Sequence, residues 1–182
     1  GHDVTASGTT AIIVRGSLTV KDSTATGAPT VAGSDVTYTS GKVSAKQAAI
    51  AAVDGGKVVV ESGTFESSNN IALSAEGNLT PGGSAVNSKI TVKGGYVLAQ
   101  EFAATAQGRG AELSIEGGVL KAKDNAVIAG NGTKTATVDR GGTTISISGG
   151  TMIGTIQSRG YIACGVYHPQ EGTLNITGGT FQ

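Results

Sequence analysis

"TTISISGGTM" runs from Thr143 to Met152, and "GTLNITGGTF" runs from Gly172 to Phe181. They are one phrase written twice, with the second copy 29 residues after the first. Each alternates apolar and polar residues over four positions, turns on a Gly-Gly pair, and resumes with a polar and an apolar residue. Strict alternation places one face against a core and the other in water, the signature of a half-buried strand. The glycine pair permits a corner that β-branched residues could not turn.

Looser copies extend the phrase through most of the chain: "LSIEGGVL" (113–120), "ITVKGGYV" (90–97), "VVVESGTF" (58–65) and "VTYTSGKV" (36–43), with a weaker "LTVKDSTA" from Leu18. The second glycine of the corner falls at 41, 63, 95, 118, 150 and 179, at intervals of 22, 32, 23, 32 and 29 residues. A second apolar run follows each corner: "NIAL", "FAATA", "NAVIA" and "YIACGV". One such unit cannot bury its own apolar face, so it must stack on its neighbours. Aligned copies predict two inward columns: Val36, Val58, Ile90, Leu113, Ile145, Leu174, and Tyr38, Val60, Val92, Ile115, Ile147, Ile176. The predicted fold is all-β, a right-handed parallel β-helix of about seven rungs of 22–32 residues. Residues 1–35 hold an N-terminal segment and the first, irregular rungs, and residues 36–182 the regular ones. The alanine-dense "SAKQAAIAAV" favours helix on propensity alone, but the same slot in later rungs carries β-formers, so a strand is expected.

Outward positions stack as well. Thr39, Glu61, Lys93, Glu116, Ser148 and Thr177 precede the corners, and rungs about 4.8 Å apart would set Glu61, Lys93 and Glu116 as an alternating charge ladder. A broken polar row, Thr37, Val59, Thr91, Ser114, Ser146 and Asn175, lies beside it. The two long intervals carry insertions after the second apolar run, at 75–87 and 130–142, and a shorter one lies at 165–172. Loops at one rung position emerge along one edge, where function concentrates more than in scaffold. Their polar residues Asn87, Asp139, Arg140, Tyr167, His168 and Glu171 are the candidate binding set.

Thirteen basic residues balance thirteen acidic ones, which argues against nucleic acid as partner, because phosphate binding needs a basic excess. No apolar run approaches the length of about 20 residues that spans a bilayer. Cys164 is the single cysteine and alternates with Ile162 and Val166, which predicts a core thiol and no disulfide framework. Glycosidic hydrolysis needs two carboxylates about 5 to 9.5 Å apart, and no Asp-Asp pair exists. The one near-cluster, Glu112, Glu116 and Asp124, lacks a basic partner, and His168 is the only histidine after His2. No metal site, no cofactor and no catalytic residue is expected. Asn78, Asn131 and Asn175 head Asn-x-Ser/Thr sequons at about the frequency chance allows.

The stretches "ISISGGTM" and "YIACGVYHPQEGTLNITGGTF" resemble the Gly-Gly-Thr rungs of β-helix proteins from phage virions and bacterial surfaces. One relative is the fibre or head-decoration class of phages of Gram-positive gut bacteria. The other is a clostridial carbohydrate-binding β-helix family similar to polysaccharide lyases. That resemblance, over residues 36–182, implies a non-enzymatic attachment or structural module on an extracellular or virion surface. Its partner would be a cell-surface glycan or protein receptor; the alternative it implies is a polysaccharide-binding or polysaccharide-degrading domain. The clostridial family sets Asp-Gly pairs at its corners for calcium, whereas this chain has only Asp54-Gly55. Motifs of polygalacturonase-type relatives ("NTD", "DD", "GHG", "RIK") are all absent. The sequence stops at "GGTFQ" directly after a corner, so further rungs or a second copy of the chain are expected to cover that end.

Overall fold

The computed structural model describes residues 2–130, 132, 134–155, 164–169 and 171–182. The first rung is β1 (Val4–Ala6), β2 (Thr10–Val14) and β3 (Ser17–Val20). A hairpin follows, β4 (Thr30–Ala32) and β5 (Asp35–Thr37). Rung two is β6 (Lys42–Ala45), β7 (Ala48–Ala52) and β8 (Lys57–Val60); rung three is β9 (Thr64–Ser67), β10 (Ile71–Glu76) and β11 (Lys89–Val92). Rung four is β12 (Tyr96–Ala99), β13 (Phe102–Gln107) and β14 (Glu112–Ile115); rung five is β15 (Val119–Ala122), β16 (Ile128–Gly130) and β17 (Thr143–Ile147). Rung six is β18 (Thr151–Gly154), β19 (Val166–Tyr167) and β20 (Gly172–Ile176), and β21 (Thr180–Phe181) opens a seventh. The first, second and third strands of successive rungs form three parallel sheets, β1-β6-β9-β12-β15-β18-β21, β2-β7-β10-β13-β16-β19 and β3-β8-β11-β14-β17-β20. This is a parallel β-helix of about seven rungs, with no helix among the described residues.

The inward columns are real, with one substitution at their start. Pairing in the third sheet runs Leu18, Val58, Ile90, Leu113, Ile145, Leu174, and beside it Val20, Val60, Val92, Ile115, Ile147, Ile176. Leu18 and Val20 occupy the places that sequence alignment assigns to Val36 and Tyr38. Val36 instead pairs antiparallel with Val31 in the hairpin. Thr37 and Thr39 leave their outward rows for the same reason, and Thr19 and Lys21 stand there. The phrase "VTYTSGKV" therefore mixes a hairpin strand with a true corner, Ser40-Gly41. The insertion at 21–41 lies between the third and first sheets, and its tip reaches far along the coil, where Lys121 Nζ donates to the Ser34 carbonyl at 2.6 Å. Asp22 ties its base: the carboxylate accepts from Thr24 N at 2.9 Å and from Gly41 N, and both bonds hold its pKa below the ordinary 3.8.

The core closes because the three sheets contribute unequal side chains. The third sheet supplies the Ile, Leu and Val columns, and the first supplies Phe65, Val97, Leu120 and Met152, each 0% exposed. The second sheet answers with alanines, Ala52, Ala75, Ala104 and Ala106, around Ile50, Leu73 and Ile128. The alanine-rich "SAKQAAIAAV" is thus strand β6–β7, where packing overrides helix propensity. Burying each large aliphatic is worth about 1.5–3 kcal/mol, and no side chain of the inner columns carries a hydrogen-bonding group in need of a partner.

Corner glycines are required by the approach of backbones. A Cβ on Gly94, Gly117, Gly149 or Gly178 would stand 2.3–2.4 Å from the carbonyl oxygen of Glu61, Lys93, Glu116 or Ser148 on the preceding rung. Ser62 holds the equivalent place in rung two because the chain above it departs into the insertion; its hydroxyl receives Asp22 N at 2.8 Å. The expected charge ladder is not formed. Glu61 pairs with Lys21 at 3.7 Å, and Lys89 with Glu112 at 3.1 Å, while the ion pairs among described residues include none from Lys93 to either glutamate. Cys164 is half-buried rather than in the core, with burial pushing its thiol pKa up; Ile162 lies outside the described residues.

Two glycines separate backbone strain from rung contact. A Cβ on Gly95 (φ +86°) would stand 2.6 Å from the Gly63 carbonyl oxygen, whereas one on Gly82 (φ +71°) would meet nothing within 4 Å. Gly82→Ala is expected to cost about 1–2 kcal/mol, the left-handed penalty alone. Gly95→Ala is expected to exceed that by at least about 1 kcal/mol, in urea unfolding of the two variants. Equal losses would mean that rungs do not approach at the corner.

Candidate functional site

The long connectors share one edge, because all of them join the second sheet to the third. Their backbones interlock across four rungs. Asn78 and Arg109 exchange N–H···O bonds at 3.0 and 2.9 Å, and Val86 N also donates to the Arg109 carbonyl at 3.0 Å. Gly108 N reaches the Arg140 carbonyl at 3.0 Å, Gly110 N the Gly142 carbonyl at 3.0 Å, and Gly142 N the Glu171 carbonyl at 2.7 Å. The two insertions also meet directly over the short rung-four turn, where Asp139 N donates to the Leu79 carbonyl at 2.8 Å. The edge is therefore built structure and not a set of separate loops.

The six candidate residues divide into two groups. Asn87 is exposed; its carbonyl accepts Lys57 Nζ, and its Oδ1 sits over Gly110. Asp139 is only 12% exposed and pairs with Lys134 at 2.8 Å. It also accepts from Gly141 N at 3.0 Å. The Lys134 contact first, and then the Gly141 bond, hold its carboxyl below the ordinary 3.8. His168 is half-buried against Gly130 and Gly172, where an added Cβ would come within 2.9 and 3.1 Å of its ring. Glu171 is exposed and holds the edge through its carbonyl. These four brace the connectors.

Arg140 and Tyr167 do something different. Both line a concavity of about 450 Å³ on the outer face of the second sheet, with Asn70, Ile71, Phe102, Thr105 and Gln107. Arg140 Nε donates to Gln107 Oε1 at 3.1 Å, and Asn70 Nδ2 to Gln47 Oε1 at 2.8 Å. Tyr167 is 49% exposed, while Thr105 at 1% lies on the floor. Phe102 stands beside Ile71 in register, turned out while Ala103, Ala104 and Ala106 join the core. Phe102 was hidden in the apolar run "FAATA", and Gln107 directly follows it. The available signal was polar Thr105 and Gln107 alternating with alanines.

The carboxylate near-cluster is not assembled. Glu112 faces Lys89, Glu116 stands at the corner before β15, and Asp124 is buried beyond its far end, taking Gln100 Nε2 at 2.6 Å. A four-residue strand spans about 13 Å, more than the separation glycosidic hydrolysis uses. No metal-binding group of three or more His, Cys, Asp or Glu occurs among the described residues. Of the sequons, Asn78 is engaged in its own loop, its Nδ2 on the Ser84 carbonyl at 2.8 Å, Asn175 is exposed, and Asn131 lies outside the described residues.

The class the fold defines is the parallel β-helix repeat proteins. Comparison with protein-family models, curated proteins and solved structures returns no match for this chain.

Asp139 makes the edge acid-sensitive. Because its folded pKa is depressed, its contribution is fully present above 3.8 and is lost as pH falls through the folded value. Amide exchange at Gly141 and Gly142 is expected to accelerate, after correction for intrinsic rates, as pH falls below the ordinary 3.8 of the carboxyl. Asp139→Asn should show raised exchange already at neutral pH and no such step. A step of equal size in that variant would assign the effect to another group.

Proposed function

We propose that this chain is a non-enzymatic attachment module of an extracellular or virion surface, which holds a cell-surface glycan against the outer face of its second sheet. The observation that carries the reading is the groove at Phe102, Tyr167, Asn70, Gln107 and Arg140, which offers ring faces and amides and, among the described residues, no carboxylate in its lining. Glycan recognition uses such a pairing of an apolar wall with a few fixed polar groups. Acid–base cleavage of a glycosidic bond needs paired carboxylates, and those of the near-cluster stand apart. The resemblance of the Gly-Gly-Thr rungs to virion fibres and surface-bound β-helices supports the same setting. Stacked rungs suit it physically, since a rigid coil presents one edge repeatedly without a large interior.

The test is incubation with bacterial cell-wall and plant polysaccharides, assayed for retention and polymer length together. Retention at unchanged length is the expected result. Shortened polymer would replace this reading with a lyase or hydrolase, and absence of any retention would remove the glycan.

A further inference from the structure

The outer face of the first sheet changes character along the coil. Its outward positions are Lys42, Ser44, Thr64 and Glu66 on rungs two and three, and they turn apolar at Tyr96, Leu98 and Val119 on rungs four and five. An outward position should meet water, yet Val119 is 5% exposed and Tyr96 and Leu98 are half-buried. Burial first, and then the charge of Glu66, pushes the Tyr96 phenol up to about 12. Something covers this strip, and the hairpin of β4 and β5 has the reach. From its base at Gly41 to Lys121, which holds its tip, are three rung steps or about 14 Å, and the five residues from Thr39 to Ser34 extend about 17 Å. The hairpin also has a matching face. Pro29, Val31, Val36 and Tyr38 are half-buried, whereas Thr30, Ala32, Thr37 and Thr39 beside them are exposed.

We infer that residues 23–40 are a strap, which seats this apolar face on Tyr96, Leu98 and Val119 and lifts off as a unit while the coil stays folded. Its two strands form a sheet of their own and join none of the three in the coil. A lone two-stranded hairpin is marginal in water, so its order depends on what anchors it. At the tip, Lys121 Nζ donates to the Ser34 carbonyl at 2.6 Å. At the base, the Asp22 carboxylate accepts from Thr24 N at 2.9 Å, from Thr24 Oγ1 at 2.8 Å and from Gly41 N, and so ties the two ends of the insertion together. Asp22 N in turn donates to Ser62 Oγ at 2.8 Å. Asp22 is the hinge and Lys121 the latch. The coil beneath keeps its own ladders and its own core, and neither uses a residue of the strap. A segment with few buried contacts opens at lower cost than the whole molecule unfolds. Opening therefore bares an apolar strip on the outside of an intact coil.

The experiment follows thiol labelling of the full chain by iodoacetamide in a Cys164→Ser background, with one cysteine placed at Val119 under the strap or at Met152 in the core. Val119→Cys is expected to label at least about tenfold faster than Met152→Cys, with a weaker urea dependence, since local opening exposes less surface than unfolding. Adding Asp22→Ala or Lys121→Gln should speed Val119→Cys at least about threefold, and by more than it speeds Met152→Cys. Amide exchange gives a second readout that needs no cysteine: residues 30–37 should exchange ahead of β12 and β15, and Lys121→Gln should speed the first set alone. Equal labelling of the two cysteines, with equal urea dependence, would mean that the strap leaves only when the coil unfolds, and would overturn the inference. Fast labelling of Val119→Cys that ignores both anchor variants would show that the strap does not cover the strip, and would overturn it too. Exchange of residues 30–37 no faster than that of β12 and β15 would do the same, even if the Val119 variant failed to fold.

Discussion

Everything in this structure depends on neighbouring rungs stacking in register at strand spacing. Once that spacing is set, side chains of one column touch like on like, and corner backbones come so close that a Cβ has no room. The glycines at 94, 117, 149 and 178 are thus consequences of the stacking, as are the Ile, Leu and Val columns. The same constraint lets connectors of variable length leave the coil, since a rung needs only its three strands to remain in place. Chain entropy rises slowly with loop length, which is why rungs of such different length can share one core.

The rungs were legible in the sequence because their signal is local and repeated. Alternation gave the third sheet, the glycine pair gave the corner, and the following apolar run gave the second sheet. Legibility failed at the first rung. "VTYTSGKV" carries the alternation and a Ser-Gly corner, yet Val36 belongs to a hairpin and Leu18 fills the column. Periodicity cannot separate a strand that stacks from one that pairs within an insertion. One clue was present in the corner itself: serine in place of the first glycine marks positions 40 and 62, where the chain of the insertion interrupts close stacking.

The candidate site was legible as an edge and not as a set of contacts. Placing three connectors at one rung position follows from spacing alone, and the interlocked backbone bonds of Asn78, Arg109, Arg140 and Gly142 realise it. What Arg140 does there depends on Gln107, a neighbour from another rung. Asp139 pairs with Lys134, whereas Phe102, which sits in the apolar run "FAATA", lines the groove with Arg140 and Gln107. The Arg140–Gln107 pairing joins residues 33 positions apart, beyond the reach of any local pattern. The charge ladder failed for a related reason: stacking sets Cα spacing, but long exposed side chains choose partners by rotamer and solvation, at a gain of at most about 1 kcal/mol.

The in-register stack is tested most directly by cross-linking across its first contested step. In a Cys164→Ser background, the cysteine pair Thr19→Cys with Val59→Cys should oxidise readily, because neighbouring strands bring such positions within about 4.4–6.8 Å. Thr37→Cys with Val59→Cys should not. Peptide mapping that finds the first disulfide and not the second is the predicted result. Cross-linking of Thr37→Cys to Val59→Cys, with Thr19→Cys left free, would contradict the register on which the columns, the corner glycines and the groove all rest.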